Sequence, residues 1–264
     1  MLKKKHVNHW LRKTLDKETE KIVSEWTVED LDAIEVSGDA WSEVGFKSYR
    51  TLHYPHFDIC KPFEDWPNEQ QEELFQSADV VLAEQVWEHL RYPFRACRNT
   101  LTMLRPGGRF LLTTPFLLRV HGIEDYSDCT RWTPEGMKYF LEECGFDPKA
   151  IQTFAWGNRE CAASHILNDV WFDHQIGMNL ENDPIYPCVV WAVATKPVGS
   201  EELPELEKSL PTSPDVREPT SPSAPTYISP SIDEASGDHL TSSSVVQKPF
   251  ALLQFRWSRM SATS

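Results

Sequence analysis

The sequence predicts an α/β protein built on a doubly wound, mostly parallel sheet. The main observation is the order of patterns between residues 78 and 116. An apolar, β-branched run at 78–83 suits a strand buried on both faces. Apolar side chains at helical spacing follow, and Arg105-Pro106-Gly107-Gly108 ends that helix before a second apolar run at 109–116. Strand, crossover helix and strand in this order form a parallel βαβ unit.

Length and composition are the second observation. The chain has 264 residues, 40% of them hydrophobic, which is enough for one sizeable α/β domain with appendages. We expect a helical segment at 1–30, the α/β domain at 31–197, and a disordered tail at 198–264. Pro, Ser, Thr and acidic residues dominate most of that tail. Such a composition buries too little apolar surface to offset the entropy lost on ordering.

The other elements are predicted in chain order from local signals. We expect strands at 33–38, within 48–60, at 151–157 and at 188–195; short or partial helices within 61–77 and 161–174; and an amphipathic helix at 133–144. The last has the clearest ends. Thr133 is a good N-cap, Pro134 occupies the first helical position, and Gly145 follows as a stop.

Charge and cysteine usage exclude several classes of partner. The net charge of −14 argues against a nucleic-acid surface, because phosphate binding needs clustered Lys and Arg. The basic residues at 3–5 and 12–13 are interpreted as a solvated helix face. The six cysteines form no C-x-x-C pair, and neither a signal peptide nor a bilayer-length apolar run is found, so we expect a cytoplasmic protein with reduced thiols and no membrane partner. The oligomeric state is not indicated.

The βαβ unit also indicates where a ligand would bind. Ligands of parallel sheets bind outside the carboxyl ends of the strands. This rule places Glu84, Gln85, Pro115 and Phe116 at the rim of a pocket.

Four short motifs occur in a characteristic order: EHL at 88–90, LRPGG at 104–108, RWTPEG at 131–136 and ECGF at 143–146. Together they resemble the class I S-adenosylmethionine-dependent methyltransferase family over about residues 30–196. The resemblance implies a Rossmann-like sheet, S-adenosylmethionine as the cofactor, and methyl transfer to an acceptor.

The resemblance also implies cofactor-binding residues near the first strand. In the family this strand ends in an acidic residue followed by a glycine-rich loop, where glycines let the backbone approach the cofactor. Here the segment is AIEVSGDAW, in which Glu35 takes the acidic position and Ser37 and Gly38 begin the loop. Gly38 is the only glycine of that loop, and Trp41 stands where a small residue is usual.

Three more residues are implied to meet the cofactor. Asp58 matches either the acid that binds the ribose hydroxyls or the later aspartate that binds the adenine amino group. Glu84 and Gln85 follow a strand at the edge of the cofactor or the mouth of the acceptor pocket, with helix capping as the alternative for Glu84.

The segment after the second strand of the βαβ unit holds the candidate catalytic residues, which are His121, Asp125, Tyr126 and Arg131. A histidine can act as a general base near neutral pH, and Asp125 or Asp128 can orient it or pair with Arg131. Alignment alone can suffice for methyl transfer from a sulfonium. The spacing matches no standard metal motif, so no metal site is expected.

Two functions remain open from the sequence. The first is an S-adenosylmethionine-dependent methyltransferase acting on a small-molecule or glycan-like acceptor. The second is a catalytically inactive methyltransferase-like binding or scaffold protein, which the single-glycine loop and the long tail favour. A nicotinamide-dependent dehydrogenase is disfavoured, because no G-x-G-x-x-G follows a strand.

Overall fold

Helices and strands alternate along the chain in the computed structural model, which describes residues 4, 10–121, 127–167 and 179–199. The strands are β1 Asp32–Val36, β2 Ser48–Leu52, β3 Ala78–Glu84, β4 Leu104–Pro115, β5 Ile151–Trp156 and β6 Val189–Thr195. The α-helices are α1 Trp10–Ser24, α2 Asn68–Leu74, α3 Pro93–Met103, α4 Pro134–Cys144 and α5 Arg159–Leu167.

The strands form one six-stranded sheet in the order β2-β1-β3-β4-β6-β5. Strands β1 to β4 pair in parallel, and β6 runs antiparallel to both of its neighbours. This confirms the predicted mostly parallel, doubly wound class. The chain leaves β1 toward β2 on one side and returns to β3 on the other. The carboxyl ends of β1 and β3 therefore meet at a topological switch point, where such sheets bind ligands.

Both faces of the sheet are covered, which explains the continuous apolar run of β3. Residues 80–83 of that strand are fully buried. Val81 packs into the cluster that includes side chains of α3 and α4. Val80 and Leu82 face the opposite cluster, which includes Val23 of α1. The N-terminal helix thus covers one face of the sheet.

The helix of the βαβ unit begins later than the apolar spacing suggests. The sequence predicts helical positions from Trp87 onward, but Trp87–His89 forms only a short 3-10 turn. The α-helix begins at Pro93, its first residue. Proline fixes φ and lacks an N–H, so it is tolerated at the first helical position and not inside the helix.

Helix α4 has the ends that the sequence predicts. The Thr133 side chain accepts a hydrogen bond from the backbone N–H of Gly136 at 3.0 Å. Pro134 is the first helical residue, and Gly145 ends the helix in the left-handed region with φ 110°. The late strands β5 and β6 also match their predicted positions.

We expect Thr133→Ala to lower the free energy of unfolding by about 1 kcal/mol, because it removes the acceptor at the helix N-terminus. Urea denaturation monitored by circular dichroism measures the change. Thr27→Ala is the matched control, since Thr27 precedes a 3-10 turn and makes no side-chain capping bond. Equal losses in the two variants would contradict a capping role for Thr133.

Some expectations concern residues outside the described part of the chain. These are the tail from residue 200 onward, the second half of the predicted 161–174 helix, and residues 122–126, which include Asp125 and Tyr126. Among the helices that are described, none is long and apolar enough to cross a membrane.

Candidate functional site

The first part of the site is the loop after β1, which Glu35 organises. The Glu35 side chain is buried, and its carboxylate accepts hydrogen bonds from the backbone N–H groups of Ala40 at 3.1 Å and Trp41 at 3.0 Å. The Tyr49 hydroxyl donates a further hydrogen bond to it. Burial raises the pKa of Glu35 above its ordinary value, against the effect of these hydrogen bonds.

The same loop requires glycine at position 38. A Cβ atom on Gly38 would lie 2.1 Å from Oε1 of Glu35, well inside van der Waals contact. The preceding residue, Ser37, adopts the left-handed region with φ 58°. The chain therefore turns sharply at the switch point, where the half-buried residues Ser37 and Gly38 follow the carboxyl end of β1.

Glu84, at the end of β3, lies in a buried ion-pair network. Its Oε1 is 2.7 Å from the ammonium of Lys4, and its Oε2 is 2.5 Å from the guanidinium of Arg12. The indole N–H of Trp41 also donates to Oε1 at 3.1 Å. Lys4 pairs in addition with Asp16 at 2.6 Å. Burial favours the neutral acid, but the charges of Arg12 and Lys4 hold the pKa of Glu84 below its ordinary value.

This network corrects the interpretation of the N-terminal basic residues as a solvated face. Lys4 is 4% exposed and Arg12 is mostly buried, whereas Lys13 does lie at the surface. A lysine inside a protein needs a counter-charge, and Glu84 with Asp16 supplies it. The position of Trp41 is also explained, because its fully buried ring lies against the Lys4 ammonium at 4.6 Å.

Gln85 and Asp58 occupy different surroundings. Gln85 has φ 57°, and its backbone and side-chain N–H groups donate to Thr113 of β4. Asp58 lies in the loop after β2, where its carboxylate accepts from the backbone N–H of Cys60 at 2.9 Å. Asn99 of α3 anchors that loop through two backbone carbonyls. The structure thus brings Glu35, Gly38 and Glu84 together, and holds Asp58 in a neighbouring loop.

The second part of the site follows β4, where Asp128 links two of the predicted residues. The Arg131 guanidinium donates hydrogen bonds to both carboxylate oxygens of Asp128, and its Nη2 lies 2.6 Å from Oδ2. Oδ2 also lies 2.9 Å from the backbone N and 3.2 Å from Nδ1 of His121. Although burial opposes ionisation, these contacts keep the pKa of Asp128 below its ordinary value. Of the two acids that the sequence leaves open, Asp128 is the one that contacts both partners among the described residues.

Glu88 is a further residue of the site. The sequence identifies it only as part of the EHL motif. Its side chain is fully buried, and burial raises the pKa of Glu88 to about 8. Its Oε1 lies 3.5 Å from Nε2 of His89 and 3.9 Å from Nε2 of His121. The two imidazole rings meet edge to face with centroids 5.2 Å apart. Glu88 and both histidines therefore form one cluster beside Asp128.

Part of the chain that forms this edge of the sheet matches a known family. Residues 55–112, which include β3, α3 and most of β4, match the family model described as a methyltransferase domain. Over these residues the chain is therefore similar to methyltransferase domains. Such a similarity implies S-adenosylmethionine as the cofactor. No curated protein sequence matches the chain.

Solved structures give weaker likenesses. The CurJ carbon methyltransferase is 12% identical with a TM-score of 0.44, covering 70% of this chain and 53% of that one. An S-adenosylmethionine-dependent methyltransferase from Mesorhizobium loti is 13% identical with a TM-score of 0.43, and the match covers 68% of this chain and 97% of that one. Phosphoethanolamine N-methyltransferase 2 of Haemonchus contortus is 13% identical with a TM-score of 0.40, covering 69% and 52%. The chain spans about half the length of the first and third of these proteins.

The switch point holds the residues that would meet S-adenosylmethionine. An added Cβ on Gly38 would force the Glu35 carboxylate to move, and Ser37, whose N–H donates to the Leu52 carbonyl, turns the chain in the left-handed region. The Glu84 carboxylate, in contrast, is already satisfied by Lys4 and Arg12.

Proposed function

We propose that this protein transfers the methyl group of S-adenosylmethionine to a polar small-molecule or glycan-like acceptor in the cytoplasm. The proposed acceptor class is supported by one observation. Asp128 contacts both His121 and Arg131 at the carboxyl edge of the sheet. This contact supports the assignment of His121 as a proton acceptor and of Arg131 as a fixed cation. The cytoplasmic location is supported by the six cysteines, all of which are free.

The cofactor would bind along the loops after β1 and β2. Ser37 and Gly38 present backbone to its methionine part, while the Glu35 carboxylate holds their loop in shape. Asp58 would accept hydrogen bonds from the adenine amino group or the ribose hydroxyls, because an ionised carboxylate offers only acceptors. Gln85 and Glu84 border the same crevice at the end of β3. The cofactor supplies an electrophilic methyl group when bound.

On the acceptor side, His121 is the proposed general base. Nδ1 of His121 donates to the backbone carbonyl oxygen of Arg119 at 3.3 Å, with the Asp128 carboxylate 3.2 Å away, which leaves Nε2 to receive the acceptor's proton. Burial lowers the pKa of His121, so the imidazole is neutral near neutral pH and able to take up a proton. Arg131, held by Asp128, is positioned to orient a polar acceptor, and Asp125 and Tyr126 are proposed to line the same pocket.

We expect His121→Ala to lower kcat by about 10²–10⁴-fold, because it removes the base, and to leave the Kd of S-adenosylmethionine unchanged. Transfer of label from methyl-tritiated cofactor to a panel of phenols, amines and hydroxylated sugars measures turnover. Lys138→Ala is the control, since Lys138 is exposed on α4, away from the proposed site residues. Undiminished turnover in His121→Ala would remove His121 from the mechanism. Cofactor binding without transfer to any of these acceptors would contradict the proposed acceptor class.

A further inference from the structure

We propose that Glu88, His89 and His121 bind one divalent transition-metal ion. Each residue offers a ligand atom, and the three atoms all lie within 4.8 Å of one another. Two imidazole nitrogens and one carboxylate oxygen form a donor set that zinc, cobalt, manganese and iron accept. The sequence gives no hint of this site, because His121 follows the Glu88-His89 pair after a gap that matches no metal motif.

Glu88 supplies the strongest reason to expect a bound cation. Its side chain is 0% exposed, and within the described residues neither carboxylate oxygen has a hydrogen-bond partner. A buried carboxyl group without a hydrogen-bond partner either holds a proton or pairs with a cation. A cation between Oε1 of Glu88 and the two imidazoles would supply the missing partner.

The two histidines are oriented as metal ligands are. Nδ1 of His89 lies 2.7 Å from the backbone carbonyl oxygen of Ser127, which can only accept, so Nδ1 carries the hydrogen. Nδ1 of His121 donates in the same way to the backbone carbonyl oxygen of Arg119 at 3.3 Å, and Oδ2 of Asp128 lies 3.2 Å from it. In both rings Nε2 is then the nitrogen with the lone pair, and in both rings Nε2 is the atom that faces Oε1 of Glu88. Such carbonyl and carboxylate partners on the second nitrogen are typical of metal-binding histidines.

The backbone fixes the cluster from two sides. The Glu88 carbonyl accepts hydrogen bonds from the backbone N–H groups of Cys129 at 2.6 Å and Thr130 at 3.3 Å. These bonds tie the turn after β3 to the segment that carries Asp128. Three protein ligands on such a frame leave a coordination position for an oxygen of a bound molecule.

The site bears on the base proposed above. Coordination through Nε2 and proton acceptance at the same nitrogen exclude each other, so His121 is a ligand in the metal-loaded protein and a base only in the metal-free protein. Metal binding itself does not depend on methyl transfer, and it is measured in the absence of S-adenosylmethionine.

The test is a titration of the full-length, chelator-treated protein with Co²⁺, followed by visible absorption and equilibrium dialysis. We expect one equivalent to bind and Zn²⁺ to displace it. Glu88→Gln and His121→Ala should each weaken binding by about 10–100-fold, whereas His56→Ala should not change it, because His56 is exposed in the loop after β2. Circular dichroism of each variant shows whether the fold is retained.

Three results would overturn the proposal. One is the absence of stoichiometric binding to folded protein, and another is unchanged affinity in folded Glu88→Gln and His121→Ala. The third is a thiolate-to-cobalt charge-transfer band, which would make a cysteine a ligand in place of the proposed carboxylate and two imidazoles. Because no cofactor or acceptor is present, a failure here leaves the proposed methyl transfer to be judged by its own experiment.

Discussion

Replacing Glu84 with glutamine is expected to lower the free energy of unfolding by about 3 kcal/mol, because removing one partner of a buried ion pair leaves the others uncompensated. Lys4 and Arg12 would then share the single carboxylate of Asp16, which lies 2.6 Å from the Lys4 ammonium and 3.4 Å from Nε of Arg12. Chemical denaturation of the two proteins at neutral pH measures the difference.

Glu73→Gln is the matched control for this prediction. Glu73 also pairs with an arginine, Arg50, at 3.0 Å, but the Glu73 side chain is 64% exposed. Exposed pairs contribute at most about 1 kcal/mol, so this variant should unfold almost as the parent does. Similar losses in the two variants would show that the Glu84 network does not stabilise the fold.

The pH dependence of stability gives a second readout of Glu84. Its pKa is lower in the folded protein than in the unfolded chain. The unfolded state therefore binds the proton more tightly, and the contribution of Glu84 to stability is present above the ordinary glutamate pKa and lost as the pH falls through the folded pKa. Stability of Glu84→Gln should consequently fall less steeply in acid than that of the parent.

Gly38→Ala is expected to weaken binding of S-adenosylmethionine by roughly ten- to a hundredfold. The added Cβ would displace the Glu35 carboxylate, which lies 2.1 Å from that position. The displaced carboxylate would lose hydrogen bonds to the backbone of Ala40 and Trp41. Loss of one bond to a charged group costs about 1.5–3 kcal/mol, which corresponds to that range of affinity if the loop shape is needed for binding.

Isothermal titration of the folded variant measures this effect. Gly136→Ala serves as the control, because Gly136 lies in the first turn of α4 and an added Cβ there would only approach the Thr133 hydroxyl, at 3.2 Å. Binding of the cofactor by Gly38→Ala with the affinity of the parent would show that the β1 loop is not part of the cofactor site.

Local signals were enough to predict the central elements of the fold. The βαβ unit of β3, α3 and β4 follows from a β-branched run, helical spacing and the Arg105-Pro106-Gly107-Gly108 turn. Helix α4 follows from Thr133 and Gly145 at its two ends. These features act within a few residues of each other, so each can be identified without knowledge of the rest of the chain.

The contacts that define the site could not be predicted in this way. Lys4 and Glu84 are separated by 80 positions, and only the packing of α1 on the sheet brings them together. Asp125 and Asp128 are the same residue type three positions apart, so the sequence does not distinguish them. Only the folded structure shows that Asp128 contacts His121 and Arg131. The burial of Glu88 likewise depends on segments that precede and follow it, so its raised pKa has no signature in the EHL motif.

The most direct test is isothermal titration of the full-length protein with S-adenosylmethionine and with S-adenosylhomocysteine. A functioning methyltransferase domain should bind both in the micromolar range with one site per chain. Absence of binding to a sample shown to be folded by circular dichroism would contradict the proposed enzyme and favour a methyltransferase-like protein that acts by binding alone.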